Sequence, residues 1–155
     1  MDKNKSKEVV KYVSLDDVLG REVADLTAVV QGEFVTRKIG VIPFTAVTFD
    51  ETKQIKKDCM VLIPDPNGTK GRMVPDLDED KMAVRVIIKA VDKDDRSNFT
   101  FAKKELLAKL GVSTADAVVA ALLSPGEIMS FAGEVQEASG YGQQAQKETE
   151  AAVKN

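Results

Sequence analysis

Between Leu106 and Gly140 the chain reads LLAKLGVSTADAVVAALLSPGEIMSFAGEVQEASG, and three short helices are delimited there by their own stop and start residues. Leu106, Leu107 and Leu110 end one helix, which Gly111 closes because glycine takes the left-handed position after a helix without a Cβ clash. Ser113 or Thr114 restarts the chain as a helix, Thr114 being well placed as its cap, with Asp116 near the positive end of the dipole and Val118, Val119, Leu122 and Leu123 as the apolar stripe. Ser124-Pro125-Gly126-Glu127 then supplies a cap, a proline at the first helical position and an acid at N3, a near-complete start signal. Ile128, Phe131, Ala132 and Val135 follow at three- and four-residue spacing, and Ser139-Gly140 ends the helix.

These elements fix the expected fold class as mainly α within an α+β frame, a helical C-terminal bundle with a small N-terminal β-hairpin. The 155 residues suit one domain over 14–141, between a flexible arm (1–13) and a flexible tail (142–155). Aromatic residues make up only 5% of the chain and Trp is absent, so the core is expected to be built from Val, Ile, Leu and Ala. The net charge of −3 disfavours a dedicated nucleic-acid binder, whose footprint is basic. Neither a signal peptide nor an apolar run long enough to span a membrane is read, so a cytoplasmic setting is expected, with no membrane partner. The single cysteine, Cys59, lies in an apolar run and is expected to be a small core residue.

Earlier in the chain, Ser14-Leu15-Asp16-Asp17 reads as a cap and first turn, with Leu15, Val18 and Leu19 as one apolar patch before Gly20. From Glu22 to Phe44 β-branched residues dominate, giving a hairpin with strands Val23–Val30 and Phe34–Ile42, divided at Gly32-Glu33 and ended by Pro43. Phe34, Thr36 and Lys38 would share one face, opposite Val35, Arg37, Ile39 and Val41. A helix over Thr45–Met60 follows, with Thr48 and Glu51 as a capping box, Phe49, Ile55 and Cys59 inward, and Lys53, Lys56 and Lys57 in solvent. Asn67-Gly68 predicts a turn joining Met60–Ile63 to Met73-Val74. The glycine and lysine spacing there does not fit a phosphate loop, and Asp76–Asp80 lacks calcium-loop spacing. Those acids suit a helix start capped by Asp76 or Asp78. Met82–Val91 reads as a central helix, with Leu77, Val84, Ile88 and Val91 on one face and Met82, Val86 and Ile87 widening it; its Val and Ile content leaves a strand as the alternative. Asp92–Asn98 is a polar connection without catalytic grammar, anchored by Phe99 and Phe101.

No histidine, metal-ligand spacing or nucleophile beside a base is present, so catalytic residues, metal sites and cofactors are all read as none. Glu127, at N3, is read as a cap rather than a catalytic acid. A Glu127→Gln change is then expected to leave function near normal.

The segment from about Phe34 to Tyr141 resembles the phage tail assembly chaperones of the XkdN-like family, found in tail gene clusters of phages and prophages of Gram-positive bacteria. Ile42-Pro43-Phe44-Thr45, Lys81–Val91, Leu110-Gly111-Val112 and above all Leu122-Leu123-Ser124-Pro125-Gly126-Glu127-Ile128 carry the likeness, with Ser139-Gly140-Tyr141 matching the family's helix ending. Asp92-Lys93-Asp94-Asp95 departs from the proline often found after the family's central helix.

The resemblance implies a non-enzymatic protein that binds the tape measure protein, keeps its apolar helices soluble, helps recruit tail tube subunits and is absent from the finished virion. A structural tail component, such as a tube or completion protein, is the alternative, and self-association is admitted as a further contact. A chaperone for apolar helices needs an apolar groove, placed around Leu122, Leu123, Gly126, Glu127, Ile128 and Phe131. Val153-Lys154-Asn155 are compatible with a slippery message and a frameshifted longer form, which family members commonly make.

Overall fold

The computed structural model describes residues 11–68 and 70–142, and the expectations for residues 1–10 and for the tail from 143 onward lie outside the described residues. In chain order the elements are α1 (Leu15–Leu19), α2 (Val23–Leu26), β1 (Gln31–Val35), β2 (Val41–Thr45), α3 (Phe49–Asp58), β3 (Met60–Pro64), β4 (Met73–Leu77), α4 (Glu79–Asp92), α5 (Lys104–Leu110), α6 (Ala115–Leu122) and α7 (Pro125–Ala138). The architecture is α+β with a helical C-terminal part and two separate antiparallel hairpins, β1–β2 and β3–β4.

The centre is α4. Asp78 caps it by accepting the Lys81 amide at 3.0 Å, and Ala83, Val86, Ile87, Ala90 and Val91 are buried along it. That spacing is helical, which resolves the helix-or-strand alternative for 82–91. The most buried face is not the expected Leu77-Val84-Ile88-Val91 row: Leu77 belongs to β4, and Val84 and Ile88 are half-buried. Ala83 and Ala90 lie inward because small side chains let neighbouring elements approach closely. Helices α3, α6 and α7 and strand β2 all pack on α4.

The local signals of the C-terminal stretch act as written. Gly111 takes φ 67° after α5, and the Thr114 hydroxyl accepts the Ala117 amide at 3.1 Å at the start of α6. Ser124 and Glu127 form a reciprocal capping box on α7, with Pro125 at its first position. Thr48 and Glu51 do the same for α3.

The hairpin region needs correction. Val23–Leu26 is a turn of helix rather than strand, with the Thr27 hydroxyl donating back to the Val23 carbonyl at 2.8 Å. The first strand begins at Gln31, and Gly32-Glu33 lie within it instead of dividing two runs. The register pairs Gly32 with Phe44, and a Cβ on residue 32 would collide with the Phe44 ring, so the glycine is where the ring crosses the neighbouring strand. Pro43 is inside β2 opposite Glu33, tolerated because a two-stranded sheet leaves each strand a free edge. Phe34 and Thr36 do point inward and Val35 and Val41 outward, as the alternation predicts. Helix α3 is shorter than Thr45–Met60, since Thr45 ends β2 and Met60 opens β3. Phe49 is exposed, with the Lys53 ammonium 5.6 Å from its ring centre, while Ile55 and Cys59 are buried.

Three aromatic rings join the hairpin to the bundle. Phe131 of α7 stacks on Phe34 at 4.4 Å between centroids and meets Phe44 at 5.6 Å. Phe99 and Phe101, the expected anchors, form an edge-on pair at 5.1 Å, with Phe101 fully buried.

Candidate functional site

The residues expected to bind a partner separate into two sets. Phe131 has no exposed surface and Leu123 is 3% exposed; both belong to the core, where Phe131 is the contact between α7 and the β1–β2 hairpin. Ile128 is half-buried and packs on that core. Gly126 is exposed, with open space where a side chain would project. Leu122, half-buried against the core at the end of α6, reaches a cavity that sequence reasoning did not assemble.

That cavity, about 370 Å³, lies between the outward face of β2, the segment after α4 and helices α5 and α6. Ile39, Val41, Pro43, Phe99, Leu106 and Leu122 line it. Ile39 and Val41 are 43% and 54% exposed, so the apolar wall is open to solvent. The signal for Val41 and Pro43 was present: once Ile42 and Phe44 turn inward, strand alternation sends their neighbours outward. Phe99, Leu106 and Leu122 come together only through the packing of α5 on α6, which no local pattern shows.

Polar clasps hold the walls. The Glu127 carboxylate receives the Ser124 amide on Oε1 at 3.0 Å and the Arg37 amide on Oε2 at 3.0 Å, tying the start of α7 to the β1–β2 turn. These two amides hold its carboxyl below the usual range. A glutamine could accept only one of the two, so Glu127→Gln keeps the cap at the cost of the turn, or the reverse. At the opposite end of the hairpin, Asp94 is buried and accepts the Thr45 hydroxyl at 2.9 Å and the Arg96 guanidinium at 2.8 Å. Arg96 donates onward to the Gly32 and Phe44 carbonyls at 2.7 and 3.1 Å. Arg96 thus lowers the Asp94 carboxyl against the opposing effect of burial. The connection DKDDRSN is therefore the anchor of the first hairpin, a role its composition did not disclose. Lys93 completes it, donating to the Ala46 carbonyl at 2.7 Å and to Glu51 at 2.6 Å.

A second cavity, about 440 Å³ between α3 and α4, has mixed charge, with Asp50, Asp58 and Asp92 facing Arg85 and Lys89. Burial raises the Asp92 carboxyl there, with Lys89 opposing. Lys53, Lys56 and Lys57 are all exposed on α3. Among the described residues, no group of three or more His, Cys, Asp or Glu is gathered to hold a metal ion, and no single helix is long and apolar enough to cross a membrane.

Fold and surface together define a small α+β protein with an open apolar groove beside a clamped hairpin. Comparison with known proteins places it more narrowly. The model of the phage XkdN-like tail assembly chaperone proteins matches residues 6–153, and the chain belongs to that family. The match runs well beyond the Phe34–Tyr141 segment that carries the resemblance in sequence. The fold is similar to the crystal structure of the protein yqbn, with a TM-score of 0.54 at 18% identity over 86% of this chain and 100% of that one. No protein of curated function matches the chain.

Proposed function

We propose that this tail assembly chaperone binds apolar helices of the phage tape measure protein in the groove between β2, α5 and α6, and helps bring tail tube subunits to it. The observation that carries the reading is the open apolar wall of Ile39, Val41, Phe99, Leu106 and Leu122 in a chain of this family. An amphipathic helix laid in such a groove buries its own apolar face and stays soluble until assembly. Of the residues placed at the site from sequence, Leu122 contacts the client, Gly126 and Ile128 flank it, and Leu123, Glu127 and Phe131 support the wall. The role is one of binding without catalysis, exercised in the host cytoplasm and ended before the virion is complete.

The test is co-expression with the tape measure protein from the same tail gene cluster. The chain is expected to raise the soluble fraction of the tape measure protein, and Val41→Asp or Ile39→Asp, both at exposed positions of the wall, to abolish the effect while leaving the circular dichroism unchanged. Equal solubility with wild type and Val41→Asp overturns the groove assignment. Recovery of the chain in purified particles by mass spectrometry would instead make it a structural tail component.

A further inference from the structure

The arm before β1 is rich in apolar residues, and none of them reaches the core. Every residue from 11 to 31 is exposed, and Leu15, Leu19 and Val23 each show 72% of their surface. Tyr12, Leu15, Leu19, Val23, Leu26 and Val30 recur at steps of three, four, four, three and four, the stripe of one amphipathic helix. The structure divides that stripe into α1 and α2. Gly20 itself is in the right-handed helical region at φ −78° and ψ −8°, so the break comes after it, where Glu22 is extended at ψ 139°. A chain that writes a continuous stripe yet finds no surface of its own to cover it has its complement on another molecule.

The complement is present on the same protein. The apolar groove adjoins a third cavity of about 520 Å³ that shares Phe99 and Leu106 with it and adds Lys103 and Lys109, against one acid, Glu105. Neither lysine enters an ion pair among the described residues. The arm carries Asp16, Asp17, Glu22 and Asp25 against Lys11 and Arg21. Apolar stripe meets apolar wall, and acidic flank meets basic rim. We propose that the arm over residues 12–30 of one copy docks as a helix in the groove of a second copy, and that the exchange is reciprocal. Twofold exchange places two arm–groove contacts in one dimer, which is how a short arm reaches the roughly 800 Å² per partner of a stable interface. The arm then covers the groove until a client helix displaces it; that consequence rests on the function proposed above, whereas the exchange itself does not.

The experiment uses the full chain without any client. Sedimentation over a range of concentrations is expected to show a monomer–dimer equilibrium. Leu15→Asp with Leu19→Asp should leave a monomer with unchanged circular dichroism, because neither side chain is buried in the fold. Asp16→Lys with Asp17→Lys should weaken the dimer by about tenfold, and Lys103→Glu with Lys109→Glu in the same chain should restore it. Separate Leu19→Cys and Val41→Cys chains should form a mixed disulfide on oxidation only when combined, with the buried Cys59 as a silent background. A monomer at all concentrations, a dimer indifferent to the aspartates, or no mixed disulfide between the combined Leu19→Cys and Val41→Cys chains each overturns the exchange. Tape measure helices should bind the Leu15→Asp/Leu19→Asp chain more tightly than wild type. A monomeric variant that binds none would end the client reading and leave the exchange standing.

Discussion

The two hairpins are alike on paper and opposite in the molecule. Each pairs five residues with five in antiparallel register. The first, β1–β2, buries Phe34, Ile42 and Phe44 and is tied at one end by Asp94, Arg96 and Lys93 and at the turn by Glu127. The second, β3–β4, presents Met60, Leu62, Pro64, Met73, Pro75 and Leu77 on one face, with Leu62 65% exposed, and among the described elements it packs chiefly on itself. Its root is held by the Asp78 amide donating to the Cys59 carbonyl at 2.9 Å; at its far end the Asp65 amide donates to the Arg72 carbonyl at 2.9 Å, and the side chains of that pair come only to 4.0 Å. A two-stranded ribbon is marginal in water by itself. What separates the two is the set of long-range anchors, not strand propensity.

The sharpest way to break the contrast is to remove the ring that joins the first hairpin to the bundle. Phe131→Ala takes away the partner of both Phe34 and Phe44 and should cost about 3–5 kcal/mol, measured by denaturant unfolding. A loss below about 1 kcal/mol would mean that the hairpin is held by its polar clasps alone.

Gly32→Ala comes next. It adds one methyl group where the Phe44 ring already lies, so either the ring or the strand must move; overpacking of this kind costs about 1–3 kcal/mol. The same exchange at Gly126, where there is open space, is expected to be tolerated, and a matched pair of melting curves separates the two positions.

These anchors also mark the limit of what the sequence discloses. Ser14, Thr48, Thr114 and Ser124 cap the helices they were expected to cap, because a cap is chemistry within four residues. The expected strand at Val23–Val30 failed because valine content is a weak signal beside pairing, and pairing here is set by a glycine under a ring twelve residues away in sequence. Asp94 and Arg96 looked like surface residues of a polar connection. Asp94 depends on the Thr45 hydroxyl and Arg96 on the carbonyls of Gly32 and Phe44, all far earlier in the chain, which no window along it brings together. The groove follows the same rule: Val41 was legible from alternation, while Phe99 and Leu106 were not.

A pH titration sharpens the comparison further, through the ion pair at the exit of β2. Burial raises the Glu51 carboxyl, but Lys93 and the Thr48 amide overcome it and hold the pKa at about 2 against an ordinary 4.5. A carboxyl depressed in the folded state contributes stability that is fully present above its unfolded value and is lost as protons bind. The wild type should therefore lose stability as pH falls from 4.5 toward 2, and Glu51→Gln should flatten that limb while lowering the plateau above it. Thermal melts at pH 7, 4 and 3 would read both effects. Parallel curves for the two proteins would remove Glu51 from the clamp.

The smallest effect is expected in the second hairpin, at Leu62→Ser. Leu62 is one of the most exposed large apolar residues of β3–β4, and its cross-strand neighbour is Pro75, which has no amide to lose. Exchanging it removes little buried area, and substitutions away from the core usually stay within about 0.5 kcal/mol. The melting temperature should therefore barely move, whereas binding of a dye that reports exposed apolar surface should fall. The same change at Ile42, 3% exposed in the first hairpin, puts a hydroxyl into the core and should destabilise by several times as much. A Leu62→Ser chain that melts as early as Ile42→Ser would show that the ribbon is packed against something in solution, most simply another copy, and the difference between the two hairpins would then belong to the isolated chain alone.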